Sequence, residues 1–212
     1  MPIVCLEGTS AVGKSTTCKA FAEIYDTYIV EETRFLFGPT NLKGIELVEW
    51  HLECQIKRWQ IALEKSKEHE FVLLDGDVFK LWYDRTYGFD EKMFEYESDY
   101  FRRKIILNEI SFPHCYVVLW SDEAKLRKQK ESDKTRKRGG FEKHLKLVEP
   151  QIKYFTALNA FVHNFAGIYK AETIDGNLLN IRNQILISPR LSKENTLHLY
   201  DFMINFLRTT NP

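Results

Sequence analysis

Short apolar runs alternate along this chain with longer stretches in which apolar residues recur every three or four positions. Ile3 to Glu7 is an apolar run closed by Gly8 and predicts a buried strand. Gly13 to Ile24 predicts a helix with Ala20, Phe21 and Ile24 on one face, and Tyr28 to Val30 a second strand followed by Glu31-Glu32. Phe37-Gly38-Pro39 marks a loop. The longest helical pattern runs from Ile45 to Lys67, carrying Leu47, Trp50, Cys54, Ile56, Trp59 and Leu63 between charges. Phe71 to Asp75 predicts a third strand ending in the turn Gly76-Asp77. Asp84 to Ser98 reads as polar and irregular, and Tyr100 to Ile110 as helix. Cys115 to Trp120 predicts a fourth strand, again followed by an acid, Asp122. A charged helix from Glu123, a basic glycine-containing loop from Lys134 to Gly140, and a helical pattern from Phe141 to Phe165 interrupted near Pro150 follow. Tyr169 to Ile174 reads as a fifth strand ending at Asp175-Gly176, and Lys193 to Leu207 as a C-terminal helix.

Short apolar strands separated by helices predict a parallel sheet covered on both faces. The expected fold is α/β, a three-layer sandwich around a five-stranded parallel sheet, in one domain spanning 1–212 with a lid segment at about 132–142. Ligands on such sheets bind at the carboxyl ends of the strands. Those ends carry Gly8, Glu31-Glu32, Asp75-Gly76-Asp77, Asp122 and Asp175.

The turn after the first strand fixes the chemistry. Gly8-Thr9-Ser10-Ala11-Val12-Gly13-Lys14-Ser15 matches G-x-x-x-x-G-K-[ST], the P-loop pattern, in full, with a strand before it and a helix after it. Gly8 and Gly13 permit a tight turn whose N–H groups point inward, and the following helix N-terminus adds partial positive charge for phosphate oxygens. Lys14 supplies a full cation to the β- and γ-phosphates, and Ser15 a hydroxyl to Mg²⁺. The nucleotide-binding residues expected are Gly8 to Thr16. No guanine-reading N-K-x-D follows a strand, which argues against a GTPase, and no strand ends in Asp-Glu as in motor ATPases. Asp75 is therefore a candidate magnesium-shell carboxylate or acceptor-side acid.

Composition narrows the partners. Lys plus Arg and Asp plus Glu both number 30, so the chain is formally neutral and has no global field for nucleic acid. Between Lys125 and Lys146, however, ten Lys/Arg stand against three acids. Arg136-Lys137-Arg138 followed by Gly139-Gly140 suits a flap that closes over phosphates and brings guanidinium charge to the transferring group. No apolar run approaches the roughly 20 residues of a membrane span. Met1 to Glu7 has no basic lead, so no signal peptide is read there and a cytoplasmic location is expected. Cys5, Cys18, Cys54 and Cys115 lack metal-ligand spacing and read as buried free thiols.

This order of features resembles the thymidylate kinase and deoxynucleoside kinase group of P-loop kinases over most of residues 1–180. Val30-Glu31-Glu32-Thr33 stands where deoxynucleoside kinases carry their catalytic glutamate, with Glu32 the better match and Glu31 one register away. Leu74-Asp75-Gly76-Asp77 stands where the group carries an acid followed by arginine. Lys134 to Phe141 resembles the lid, and Thr173 to Asn177 the last strand, whose turn lies near the adenine. Gly76 departs from the pattern, so an acceptor-side cation is missing or comes from elsewhere, with Arg34, Arg85 and Arg102 as candidates. The resemblance implies transfer of the γ-phosphate of ATP, with Mg²⁺, to a small acceptor such as a nucleoside or nucleoside monophosphate. Kinases of other small hydroxyl compounds, antibiotics included, and a P-loop ATPase or switch acting on a macromolecule are the alternatives.

The catalytic candidates are Lys14, Glu32, Asp75, Arg136 and Arg138, and the magnesium candidates Ser15 and Asp75. On the acceptor side stand Arg34, Asp77, and Gln55 and Trp59 from the long helix, which also carries His51 and Arg58. The partner expected is a small phosphate acceptor, with neither membrane nor nucleic acid, and a homodimer is left open.

Overall fold

The computed structural model describes residues 1–86, 91–133 and 140–210. Five strands, β1 (Ile3–Gly8), β2 (Thr27–Val30), β3 (Phe71–Asp75), β4 (Cys115–Trp120) and β5 (Ala166–Lys170), form one sheet in the order β2-β3-β1-β4-β5. Every pair is parallel, with Leu6 opposite Asp75, Val30 opposite Leu74 and Gly8 opposite Leu119. The chain therefore leaves β1 towards one edge and later crosses to the other, so the switch point of the sheet falls at the end of β1.

Ten helices stand among the described residues: α1 (Lys14–Ala22), α2 (Thr33–Phe37), α3 (Gly44–Lys65), α4 (Leu81–Thr86), α5 (Glu91–Ile106), α6 (Glu123–Ser132), α7 (Phe141–Leu145), α8 (Val148–Phe161), α9 (Ile174–Ile187) and α10 (Lys193–Thr209). Strand side chains alternate between two cores. Ile3, Cys5, Leu74, Tyr116 and Val118 pack under the layer that holds α3, α5, α8 and α10. Val4, Leu6, Leu73, Val117 and Leu119 pack under α1 and α9. The fold is thus α/β with three layers, as the strand–helix alternation predicts. All four cysteines are free and buried.

Three local readings are corrected, and one element is added. The fifth strand is Ala166–Lys170, not Tyr169–Ile174, because Thr173 caps a helix: its hydroxyl accepts the Gly176 N–H at 3.1 Å and α9 begins at Ile174. The stretch from Asp84 to Ser98 is not irregular where described, since α4 ends at Thr86 and α5 runs from Glu91. Phe94, Glu97, Ser98, Phe101 and Ile105 bury one face of α5, and the acid and serine in that face hide its period. A short helix, α2, follows Glu32 directly. The break in the 141–165 pattern falls at Lys146-Leu147, while Pro150 sits in the first turn of α8, where its missing N–H costs nothing.

Candidate active site

The cradle at the end of β1 is built by backbone that few residues can adopt. Gly8 has φ of 152°, and a Cβ placed on it would lie 2.4 Å from the Leu119 carbonyl oxygen and 2.7 Å from Val12 Cγ1. Glycine is required here by space as well as by conformation. Ala11 and Gly13 both take positive φ, and α1 starts directly at Lys14. The Lys14 ammonium curls back and donates to the Gly8 carbonyl at 2.7 Å, spanning the loop it belongs to. Its Nζ also stands 3.9 Å from Glu32 Oε1, whose side chain is about one-third exposed at the end of β2.

Ser15 Oγ donates to Asp75 Oδ2 at 2.6 Å, so the P-loop hydroxyl and the acid ending β3 already form a unit. The other oxygen, Oδ1, is buried without a hydrogen-bond partner among the described residues. Burial raises the pKa of Asp75, and Glu32 adds to this against the pull of Lys14. An orphaned, buried carboxylate oxygen beside a serine hydroxyl fits a hard divalent cation with oxygen ligands.

The acid-led turn after β3 is held from beneath by Arg58, a residue the sequence offered no role. Arg58 is 1% exposed, and all five of its N–H donors are used. Nε donates to the Glu31 carbonyl, one terminal nitrogen to Gln55 Oε1 and the Asp77 carbonyl, the other to the Asp75 and Gly76 carbonyls, at 2.8–3.1 Å. Gln55 in turn donates to Thr33 Oγ1 at 3.0 Å. One guanidinium thus ties the ends of β2 and β3, and with them Glu32 and Asp75, to α3.

Glu7, the last side chain of β1, is buried as well. Its Oε1 accepts the Gly8 N–H at 2.8 Å, and its Oε2 accepts the Asp77 N–H at 2.7 Å and the Lys80 ammonium at 3.3 Å. Burial works against its charge, yet Lys80, Lys14 and the two backbone N–H groups together hold its carboxyl below the usual range. Asp77 is fully buried and accepts from Tyr116 Oη at 2.9 Å and the Phe79 N–H at 3.2 Å. Burial lifts its pKa to about 7, with Glu7 adding to the rise and Lys80 opposing it.

On the other side of the loop a cavity of about 170 Å³ is lined by Val12, Gly13, Thr16, Ala171, Gln129 and Asn177, among others. Gln129 Oε1 and Asn177 Oδ1 are buried there with no partner among the described residues. The Asn177 amide nitrogen donates to Thr17 Oγ1 at 3.1 Å.

The structure brings Lys14, Ser15, Glu32 and Asp75 to one place. Gln55 lies behind them as a partner of Arg58, Trp59 is buried in the core under α3, and Asp77 lies beneath the turn. Arg34 is exposed, with its guanidinium carbon 5.8 Å from the Phe35 ring centroid. Arg136 and Arg138 lie outside the described residues. The two flanks of that segment are joined by Arg127 of α6 and Glu142 of α7, which make a paired contact at 2.7 and 2.8 Å. Of the cations considered for the role left open by Gly76, Arg85 is bound to Glu91 and the Leu207 carbonyl, and Arg102 to Asp201. Glu7 and Lys80 escaped the sequence reading. A charged residue closing an otherwise apolar strand was the signal available for Glu7.

No family model matches the sequence, and no curated protein matches it. Solved structures do match in fold. A deoxyadenosine kinase from M. mycoides with bound dATP superposes with a TM-score of 0.58 at 15% identity, covering 88% of this chain and 100% of that one. A thymidylate kinase from Candida albicans gives 0.56 at 14% identity, covering 87% and 91%. A thymidylate kinase from Ehrlichia chaffeensis gives 0.53 at 11% identity, covering 86% and 97%. The chain has a P-loop fold, and within that class the fold of the thymidylate and deoxynucleoside kinases.

Proposed function

We propose that this protein is a kinase that transfers the γ-phosphate of ATP to a hydroxyl of a nucleoside. The observation that carries the reading is the placement of Glu32. Its carboxylate stands 3.9 Å from the P-loop ammonium, on the far side of the loop from the cavity that holds Gln129 and Asn177. A carboxylate beside the γ-phosphate position, but outside the Ser15–Asp75 unit, is where an acceptor hydroxyl needs a base. Because Asp75 is engaged with Ser15, the two acids divide the work: Asp75 with Ser15 would hold Mg²⁺, and Glu32 would receive the acceptor proton. Mg²⁺, when bound, supplies charge neutralisation to the phosphate oxygens. The hydroxyl oxygen forms a bond to γ-phosphorus, the bond to the β–γ bridging oxygen breaks, and ADP leaves. Lys14 and the loop N–H groups stabilise the charge that develops on the phosphoryl oxygens.

The donor base fits the cavity beside Thr16. Two unpartnered oxygens, from Gln129 and Asn177, can accept from the exocyclic amine of adenine, whereas guanine presents an oxygen at that position. A neutral acceptor is chosen over a monophosphate because the part-exposed carboxylate of Glu32 stands beside Lys14, while Arg58 has no donor left to offer a phosphate. Incubation with γ-labelled ATP and a panel of nucleosides, nucleoside monophosphates and aminoglycoside-type hydroxyl compounds tests this. Label on a nucleoside supports the reading, label on monophosphates only overturns the choice of acceptor, and hydrolysis without transfer overturns the kinase assignment.

A further inference from the structure

We infer that Lys80 is the acceptor-side cation of this enzyme, held in place by Glu7 and admitted to the cleft by Gly76. The inference rests on the kinase reading above and adds a residue that neither the motif nor the resemblance supplies.

The cations that act on Glu7, Asp75 and Asp77 are Lys14, Arg58 and Lys80. Lys14 spans the phosphate loop, and Arg58 is buried with its five donors spent on carbonyls and Gln55. Lys80 differs from both. Its side chain keeps about a third of its surface in solvent, whereas the Glu7 side chain it pairs with keeps 5%. Among the described residues its one hydrogen bond is the 3.3 Å contact to Glu7, which leaves donors of the ammonium for a ligand.

Its place is set by the residue that departs from the expected pattern. A Cβ built on Gly76 would lie 3.3 Å from Lys80 Nζ and 3.8 Å from Glu7 Oε2. The ammonium therefore occupies the space into which a side chain at position 76 would grow. A side chain at position 76 would press on this ammonium, and the positive φ of Gly76 (86°) favours glycine as well.

Glu7 makes this cation part of the same rigid unit as the phosphate loop. One carboxylate oxygen takes the Gly8 N–H and the other takes Lys80 and the Asp77 N–H. Burial opposes the charge of Lys80, and Arg58 adds to that, but Glu7, Asp77 and Glu32 together outweigh them and hold the lysine pKa above its usual value, so the cation persists across the physiological range. An ammonium fixed between the loop and the acid-led turn can donate to the acceptor oxygen and the phosphoryl oxygens as charge passes between them. Such an interaction grows in the transition state, so it acts on kcat more than on the KM for ATP.

The test compares wild type, Lys80→Gln and Lys80→Arg with ATP and the best nucleoside acceptor, with thermal melts alongside. Lys80→Gln is expected to lose on the order of 100-fold or more in kcat with the KM for ATP within about threefold, as for other preorganised charges. Lys80→Arg is expected to recover most of the loss. If Lys80→Gln does not fold, the double variant Glu7→Gln/Lys80→Gln replaces it, since no unpaired buried charge then remains, and the same loss is expected. A folded Lys80→Gln or double variant with kcat within threefold of wild type overturns the inference, as does a loss confined to KM. A wild-type protein that hydrolyses ATP without labelling any acceptor instead brings down the kinase reading, and the inference with it.

Discussion

Arg58 shows how much of this site depends on one side chain outside it. Four of its five donors satisfy carbonyls of Glu31, Asp75, Gly76 and Asp77 that would otherwise face an apolar interior, and the fifth goes to Gln55 Oε1. Removing it leaves buried acceptors unpaired, at about 1–3 kcal/mol each before relaxation. Arg58→Met is therefore expected to cost on the order of 4 kcal/mol in urea unfolding, and Arg58→Lys to restore little, because an ammonium has three donors and no planar fork. A loss under about 1 kcal/mol would contradict the clamp. Lys14 is the complementary case. Lys14→Ala removes a charge aimed at phosphate, so it is expected to leave the melt unchanged and to lower kcat by about 100-fold or more. Near-normal turnover in that folded variant would remove the P-loop from the mechanism.

At the scale of elements, α4, α5 and α9 carry consequences that the linear pattern hid. The buried face of α5 includes Glu97, whose pKa burial raises to about 8 with help from Asp84 of α4; Asp84 itself is lifted to about 7 by burial. Together with Asp77, these carboxyls hold protons in the folded state that an unfolded chain releases near pH 4. Between pH 4 and 8 the folded state binds more protons, so stability falls as pH rises, by at most about 1.4 kcal/mol per pH unit for each such proton. The melting temperature is expected to drop from pH 5 to pH 8, and Glu97→Gln to flatten that drop while leaving the pH 5 value near wild type. An unaltered slope in Glu97→Gln would exclude a buried neutral carboxyl there. At α9, Thr173→Ala removes a cap and should cost about 1 kcal/mol. Because Thr173 and Asn177 also line the cavity beside the loop, the same variant should raise the KM for ATP, which a surface helix cap would not.

Across the whole molecule, what the sequence made legible is what local chemistry dictates. The P-loop, the four strands β1 to β4 and the acids at their ends were readable because apolar runs ending in glycine or acid leave few other options in an α/β chain. The last strand was misplaced because Asp175-Gly176 resembles a turn, and only the Thr173 hydroxyl on the Gly176 N–H shows a helix start. Glu7, Arg58 and Lys80 were not legible as a group. They meet only when β1, α3 and the turn after β3 come together, at separations of 51 and 22 residues along the chain. The Ser15–Asp75 contact likewise joins positions 60 residues apart. The central claim, that this assembly moves a phosphoryl group onto a nucleoside hydroxyl, is tested most directly by γ-labelled ATP with the nucleoside panel, comparing wild type with Glu32→Gln. The account expects labelled nucleoside from the wild type and a large loss of kcat in the variant. Labelled phosphate alone, or an undiminished rate in folded Glu32→Gln, would contradict it.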